Sequence, residues 1–391
     1  MRTEHLFYRS RKCSRTACSA VTAMMMAAVL AVMPSCAYAA DQVVISDYGP
    51  VSSIAETETA GTEADTAETS GTDKTSAAQA GTVQTGNAET GAAPDTAAQT
   101  NTAETGTAQT GTAQIVNNAL ASAASLPDKG ADTQAVTDLV NSDYAVLFDL
   151  DQNKMVAEKN ADAVINPASM TKVLTLLVVC EHVQNLDEKL TVTQATVDYI
   201  NAHDCSNAGL SAGETISVRD LLYALILPSG ADAALTLASR TAGSPEQFVT
   251  LMNQKAKALG LSSGANFTNC IGLYSQNHHC TVKDVAVIMK AALSNSLAAS
   301  VLTTPAYKVT TASRHTGGIS LTNLFVSRIS GKISTGNVYA AKTGYVSQSG
   351  FCAVSYLKGS NGRNYICATG KADSTWKAIY DHTALYQNYV K

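Results

Sequence analysis

The chain has 391 residues, 45% of them hydrophobic, 15% charged and 6% aromatic, with a formal net charge of −5. That charge provides no broad cationic surface to neutralise a row of phosphates, so no nucleic-acid partner is expected. The longest apolar run, about residues 20–33, is shorter than the ~20 residues a spanning helix needs, which argues against an integral membrane protein. Length alone suggests two or three domains, but much of the N-terminal third is too poor in apolar residues to fold.

Arg2, Arg9, Arg11, Lys12 and Arg15 precede the apolar run, and Ala37-Tyr38-Ala39 follows it. This is the pattern of an export signal over residues 1–39, cleaved after Ala39. Cys36 raises the alternative of lipidation, but Met33-Pro34-Ser35 matches a lipidation box poorly. Residues 52–114 cycle through Thr, Ala, Gly, Glu and Gln with Lys74 as their one base. Such a stretch cannot offset the entropy of ordering it, so residues 40–130 are read as a disordered linker. The third segment, 131–391, is the expected folded domain, with firm patterning from about Asp143.

Within that domain, residues 144–150 alternate as a strand, and 155–158 return as its hairpin partner after a polar turn. Asn166 is a good N-cap, and Pro167 suits the first position of the apolar helix that follows. Ser217 opens a second apolar helix that Pro228 stops, leaving Ser229-Gly230 at a helix end. Residues 351–357 and 364–369 flank a Gly-Ser-Asn-Gly turn as a second hairpin, and an amphipathic helix over about 374–389 closes the chain. The middle is mostly helical. The expected class is therefore α+β, an antiparallel sheet flanked by helices, since a doubly wound parallel sheet would need strands throughout.

Six of the nine cysteines fall in this domain. Export permits disulfides; Cys270 and Cys280, bracketing a short loop, are the foremost candidates, while Cys180 reads as a free core thiol. His203-Asp204-Cys205 and His278-His279-Cys280 lack the spacing of a zinc site. No metal and no cofactor are expected.

The informative stretch is Asn-Pro-Ala-Ser-Met-Thr-Lys, residues 166–172. Ser169 is expected in the first helical turn, with Lys172 three residues on and on the same face. An amine one turn from a hydroxyl, on a helix greasy enough to be buried, has the parts of an activated nucleophile, because burial lowers a lysine's pKa. The spacing alone is weak. Ser355…Lys358 and Ser374…Lys377 repeat it, and both read as structural. What singles out Ser169 is its company, the Ser229-Gly230 turn and a Lys342-Thr343-Gly344 strand edging the same cleft.

In that order these are the three motifs of the penicillin-recognising serine enzymes. Residues 143–391 resemble the D-alanyl-D-alanine carboxypeptidases of the low-molecular-mass penicillin-binding protein group, peptidase family S11. The resemblance is carried by residues 167–172, 220–234, 252–261 and 341–345. It implies a penicillin-binding-protein or serine β-lactamase-like fold with a helical subdomain, and a secreted, wall-associated enzyme acting on peptidoglycan stem peptides and acylated by β-lactam antibiotics. Ser169 would attack the D-Ala-D-Ala carbonyl, Lys172 would be the base, and Ser229 would pass the proton to the leaving D-alanine. Lys342 and Thr343, with Gly344 beside them, would hold the substrate carboxylate. The N–H groups of Ser169 and Tyr345 would form the oxyanion hole.

One position departs from the family: Ala231 stands where Asn is usual. Three readings follow. The first is a carboxypeptidase. The second is a non-hydrolytic penicillin or peptidoglycan sensor that lost turnover through Ala231. The third is a serine β-lactamase, disfavoured because Asp232, Glu246 and Asp284 are the only acids between Ala231 and Lys342, and Glu246-Gln-Phe-Val-Thr is not the Glu-x-x-Leu-Asn loop of class A enzymes. No C-terminal amphipathic anchor is legible.

Overall fold

A computed structural model describes residues 125–391. The expected signal peptide, the Cys36 alternative and the linker through residue 124 lie outside the described residues. Packing begins ahead of the patterned region, because Leu126 is buried in the main core.

The elements follow in chain order. Strands β1 (Gln134–Ala135), β2 (Tyr144–Asp149) and β3 (Lys154–Lys159) lead into a 3₁₀ turn, Ala168–Met170, and helix α1 (Thr171–His182). The central stretch holds β4 (Lys189–Thr191), α2 (Gln194–Ala202), β5 (Thr215–Ser217), α3 (Val218–Ile226), α4 (Ala231–Ala242) and α5 (Pro245–Ala258). Then come α6 (Val282–Ser294), α7 (Ser296–Leu302), β6 (Ala306–Val309), β7 (Ile319–Thr322) and α8 (Leu324–Ile329). The chain ends with β8 (Gly336–Val346), β9 (Gly350–Gly359), β10 (Asn364–Ala372) and α9 (Thr375–Tyr389).

The main sheet has the order β1-β3-β2-β10-β9-β8, antiparallel except for the two-residue parallel pairing of β1 with β3. Its central strands are buried on both faces, and the period of two shows which side chain goes where. Val146, Phe148, Ile366 and Ala368 enter the main core, whereas Ala145, Leu147, Tyr365 and Cys367 enter a second core on the other face. Leu385 and Tyr386 of α9 close that second core. Both expected hairpins and the last helix are present, with Ser374 as the N-cap of α9.

Helix α1 is the axis of the main core. Every residue from Thr171 to Cys180 is buried, so the helix has no wet face and lies among α4, α5 and α6. Each of its valines and leucines contributes roughly 1.5–3 kcal/mol of burial. That gain lets the same helix carry the buried lysine at position 172. Among the described residues no single helix is long and apolar enough to cross a membrane.

All six cysteines of the described residues are free thiols, including Cys270 and Cys280, the foremost candidates for a pair. The two serve different neighbours. Cys280 pairs its backbone with Ile165, while the Cys270 carbonyl accepts a hydrogen bond from Thr175 Oγ1 at 2.7 Å.

Candidate active site

The nucleophile helix starts later than its sequence suggests. Pro167 occupies the cap of the 3₁₀ turn, Asn166 Oδ1 accepts from the Ala168 N–H at 3.0 Å, and the α-helix begins only at Thr171. Ser169 therefore stands on the 3₁₀ turn rather than inside α1. Ala168 has φ +46°, a left-handed conformation costly for a residue with a Cβ. The strained turn leaves Ser169 half-buried at the sheet edge, with Lys172 buried just beneath it.

Lys172 Nζ lies 3.0 Å from Ser169 Oγ and 2.7 Å from the Ile271 carbonyl. Burial pushes the Lys172 ammonium down to about 8, against the opposing pull of Cys270, Cys205 and Asp232. Of these, Cys270 is itself pushed up to about 12 by burial and stays a neutral thiol near pH 7. The Asp232 carboxylate is the stronger counter-charge there. It accepts from the N–H groups of Ala208, Leu210 and Ala233 at 2.9–3.1 Å, which oppose the upward push of its own burial.

Ser229 lies in the turn between α3 and α4, both of which pack on α1. Its φ is +65°, and its Oγ is enclosed with no hydrogen-bond partner. A hydroxyl held unpaired on a strained turn is free to bond an incoming group, and leaving it so costs stability. Ala231 is buried, and its N–H donates to the Ser206 carbonyl at 2.8 Å.

Strand β8 abuts the Ser169 turn. A Cβ on Gly344 would lie 2.9 Å from the Ser169 nitrogen and 3.0 Å from the Pro167 oxygen, so the approach depends on glycine at that position. Lys342, two residues earlier, is buried and donates to the Thr343 carbonyl at 2.8 Å. Burial, and then the charge of Lys172, hold its ammonium well below the usual lysine range. An anionic group beside Lys342 would oppose that shift and favour the ammonium. Tyr345 is exposed and packs its ring on Phe351 with centroids 4.4 Å apart.

Ser169, Lys172 and the Lys342–Gly344 edge thus meet at one point, with the Ser229 turn on a flanking pair of helices. The two other Ser-x-x-Lys pairs do not join them. Ser374 caps α9, and Lys377 pairs with Asp373 at 2.6 Å. Ser355, on β9, is sealed against His382 and Tyr386 of α9. His278, set aside as a zinc ligand, is a buried hydrogen-bonding group against Thr171. Among the described residues no group of three or more His, Cys, Asp or Glu side chains is placed to hold a metal ion. The sequence reading weighed Asp232 only as a possible deacylating acid, not as a charge acting on Lys172, and it missed the turn carrying Ile271; the Asn269-x-x-Gly272 pattern, a turn signal, was the available clue.

Comparison with known proteins gives the same class. The crystal structure of the Streptomyces K15 DD-transpeptidase matches with a TM-score of 0.57 at 27% identity, over 64% of this chain and 97% of that one. Penicillin binding protein 5 from Haemophilus influenzae matches with a TM-score of 0.56 at 25% identity, over 63% and 70%. The fold is that of the penicillin-binding DD-peptidases. The D-alanyl-D-alanine carboxypeptidase family, peptidase S11, matches residues 131–369, and the chain belongs to that family. A D-alanyl-D-alanine carboxypeptidase of Streptomyces sp. strain K15 is 32% identical over 244 residues, covering 59% of this chain and 80% of that protein. DacF of Bacillus subtilis strain 168, also a D-alanyl-D-alanine carboxypeptidase, is 34% identical over 149 residues. That match covers 38% of each chain, well under half the length of DacF.

Proposed function

We propose that the protein is a serine-type D-Ala-D-Ala carboxypeptidase, exported by the signal over residues 1–39 and working at the cell wall. Its substrate is the peptidoglycan stem peptide. The observation that carries this reading is the buried Lys172 amine 3.0 Å from the Ser169 hydroxyl, with its ammonium pushed down to about 8.

Ser169 Oγ attacks the carbonyl carbon of the terminal D-Ala-D-Ala bond and passes its proton to the neutral Lys172 amine. The carbonyl oxygen takes the negative charge and is met by the Ser169 and Tyr345 N–H groups. As the C–N bond breaks, the proton moves through Ser229 to the departing D-alanine nitrogen, leaving an ester on Ser169. Water then cleaves the ester and frees the serine. Lys342 and Thr343 hold the terminal carboxylate, whose charge raises Lys342 back toward its usual range. A β-lactam offers the same carbonyl and carboxylate and acylates the same serine.

Of the three acids between Ala231 and Lys342, two are tied up in hydrogen bonds and the third faces solvent, which weighs against deacylation by a carboxylate. Asp232 is bound by backbone N–H groups, Asp284 closes a capping box with Thr281, and Glu246 is exposed in the first turn of α5. One observation favours the sensor as a second reading: Ala231 supplies no amide beside the unpaired Ser229 hydroxyl.

Purified protein mixed with diacetyl-Lys-D-Ala-D-Ala is expected to release free D-alanine, and benzylpenicillin to leave a persistent adduct on the Ser169 peptide by mass spectrometry. An adduct without D-alanine release would select the sensor. Neither an adduct nor D-alanine from folded protein would sink the reading.

A further inference from the structure

The carbonyl that touches Lys172 sits in a turn with its own internal clamp. Asn269 Oδ1 accepts from three successive N–H groups, those of Ile271 at 3.2 Å, Gly272 at 2.7 Å and Leu273 at 3.0 Å. Its Nδ2 donates to the Leu273 carbonyl at 3.0 Å. One side chain thus fixes the peptide planes on both sides of Ile271. With the nitrogens drawn inward to the carboxamide, the Ile271 carbonyl projects outward to Lys172 Nζ at 2.7 Å.

The turn is also fastened to the nucleophile helix. His278 Nδ1 accepts from the Thr268 N–H at 3.0 Å, which places the ring proton on Nε2, 2.9 Å from Thr171 Oγ1. Burial pushes the His278 imidazole down to about 4, so it is neutral near pH 7 and keeps that tautomer. Thr175 Oγ1 donates to the Cys270 carbonyl at 2.7 Å. Thr171, Lys172 and Thr175, one face of α1, therefore each bond to residues 268–278. Gly272, with φ +86°, completes the fit: a Cβ there would stand 2.0 Å from the Ala168 oxygen.

We propose that Asn269 is a positioning residue for the Ser169–Lys172 pair, its carboxamide folding the turn so that the Ile271 carbonyl orients the lysine amine toward the serine hydroxyl. The inference rests on the function proposed above. A neutral amine has two N–H bonds and one lone pair. Donating an N–H to a fixed carbonyl leaves the lone pair for the Ser169 proton; with the carbonyl displaced, the amine rotates freely. The same carbonyl also favours the ammonium over the amine, since a charged donor makes the stronger hydrogen bond. Loss of Asn269 should therefore have two signatures, a lower limiting acylation rate and a lower Lys172 titration midpoint. The other titratable groups acting on Lys172, namely Cys270, Cys205, Asp232 and Lys342, are all retained in the variants.

The test compares wild type, Asn269→Ala and Asn269→Asp in single-turnover acylation by benzylpenicillin across pH. In parallel, NMR of protein labelled at lysine Cε follows the Lys172 titration, assigned with Lys172→Arg. Asn269→Ala should lower the limiting rate about 10- to 100-fold, the scale of a misplaced reacting group, with its midpoint below that of wild type. Asn269→Asp keeps the acceptor for the three N–H groups, loses the donor to the Leu273 carbonyl and adds a negative charge, so it should keep more of the rate than alanine and titrate above wild type. A folded alanine variant with the wild-type rate and midpoint overturns the proposal, as does a rate loss with no change in the Lys172 titration. If alanine prevents folding, an aspartate variant titrating where wild type does overturns it. Should wild type neither acylate nor release D-alanine, the proposed function fails, and the NMR titration still decides the role of Asn269.

Discussion

Ser169…Lys172 and Ser355…Lys358 have the same spacing and opposite fates. On the 3₁₀ turn and first turn of α1, a separation of three brings the amine to 3.0 Å from the hydroxyl. On β9 the same separation sends the two side chains to opposite faces of the sheet. Ser355 has a partner that looks catalytic, His382 Nδ1 at 2.7 Å, together with Tyr386 Oη at 2.8 Å. Yet Ser355 and His382 are both fully buried, and burial pushes the imidazole down to about 3. The contrast separates composition from chemistry: a serine beside a base matters only where strained backbone and an open edge admit a substrate.

The sharpest way to break the comparison is to remove each hydroxyl in turn. Ser169→Ala should abolish the benzylpenicillin adduct. Ser355→Ala should keep full labelling but lose about 1–3 kcal/mol in urea denaturation, because His382 Nδ1 loses its Ser355 partner in the core while Tyr386 keeps its bond to the Ser355 carbonyl. A label on the Ser355 peptide, or one that survives in Ser169→Ala, would reverse the assignment of roles.

The two lysines give the next largest difference. Wild-type acylation should rise with pH through about 8, since the Lys172 ammonium must lose its proton before it accepts one from serine. Lys172→Arg cannot lose that proton and should acylate about 10²–10⁴-fold more slowly, with no rise over that range. Lys358→Arg should acylate like wild type. Stopped-flow acylation between pH 6 and 10 reads both; an arginine at 172 that leaves the rate near wild type would mean another group is the base.

Two left-handed glycines carry the comparison into the backbone. Gly272 has φ +86° with the Ala168 oxygen 2.0 Å from any added Cβ, whereas Gly362, in the β9–β10 turn, has φ +82° and open space around it. Gly362→Ala should cost only the left-handed conformation, about 1–2 kcal/mol. Gly272→Ala should add overpacking of about 1–3 kcal/mol and, because the intruded atom belongs to the Ser169 turn, slow acylation as well. Equal stability losses with acylation intact would show that the turn is not held in place by the approach of Gly272.

What the sequence disclosed and what it withheld follow the range of the contacts. The hairpins at β2–β3 and β9–β10 and the last helix depend on neighbouring residues, and their periodicity places them closely. Ser169, Lys172 and the Lys342–Gly344 strand were legible as motifs. The delayed start of α1 was not, because Asn166 spends its side chain on Ala168 and Pro167 takes the cap. Nor was the Ile271 contact, where a lysine meets a backbone carbonyl 99 residues away and leaves no periodic trace. Cys270 and Cys280, though close in sequence, are free thiols whose backbones are drawn to different partners, so closeness in sequence counts for little.

The smallest expected effect concerns Ala231, where family and chain diverge. The buried Ala231 methyl lies two residues from a Ser229 hydroxyl that has no partner. An asparagine there would offer an amide to the substrate or to that hydroxyl. A hydrogen bond of this kind is worth ~0.5–1.5 kcal/mol, up to about tenfold in rate. That is too little to create or abolish catalysis when the nucleophile, base and carboxylate site are already together. Ala231→Asn should therefore raise kcat/KM for diacetyl-Lys-D-Ala-D-Ala by up to about tenfold, provided the pocket admits the larger side chain, while Ser169 labelling stays complete. A wild-type protein that releases no D-alanine while Ala231→Asn does would make the amide decisive and favour the sensor. A folded variant slower than wild type would mean that the Ser206–Ala231 contact has closed the space, and that the surrounding loop has been rebuilt around the alanine.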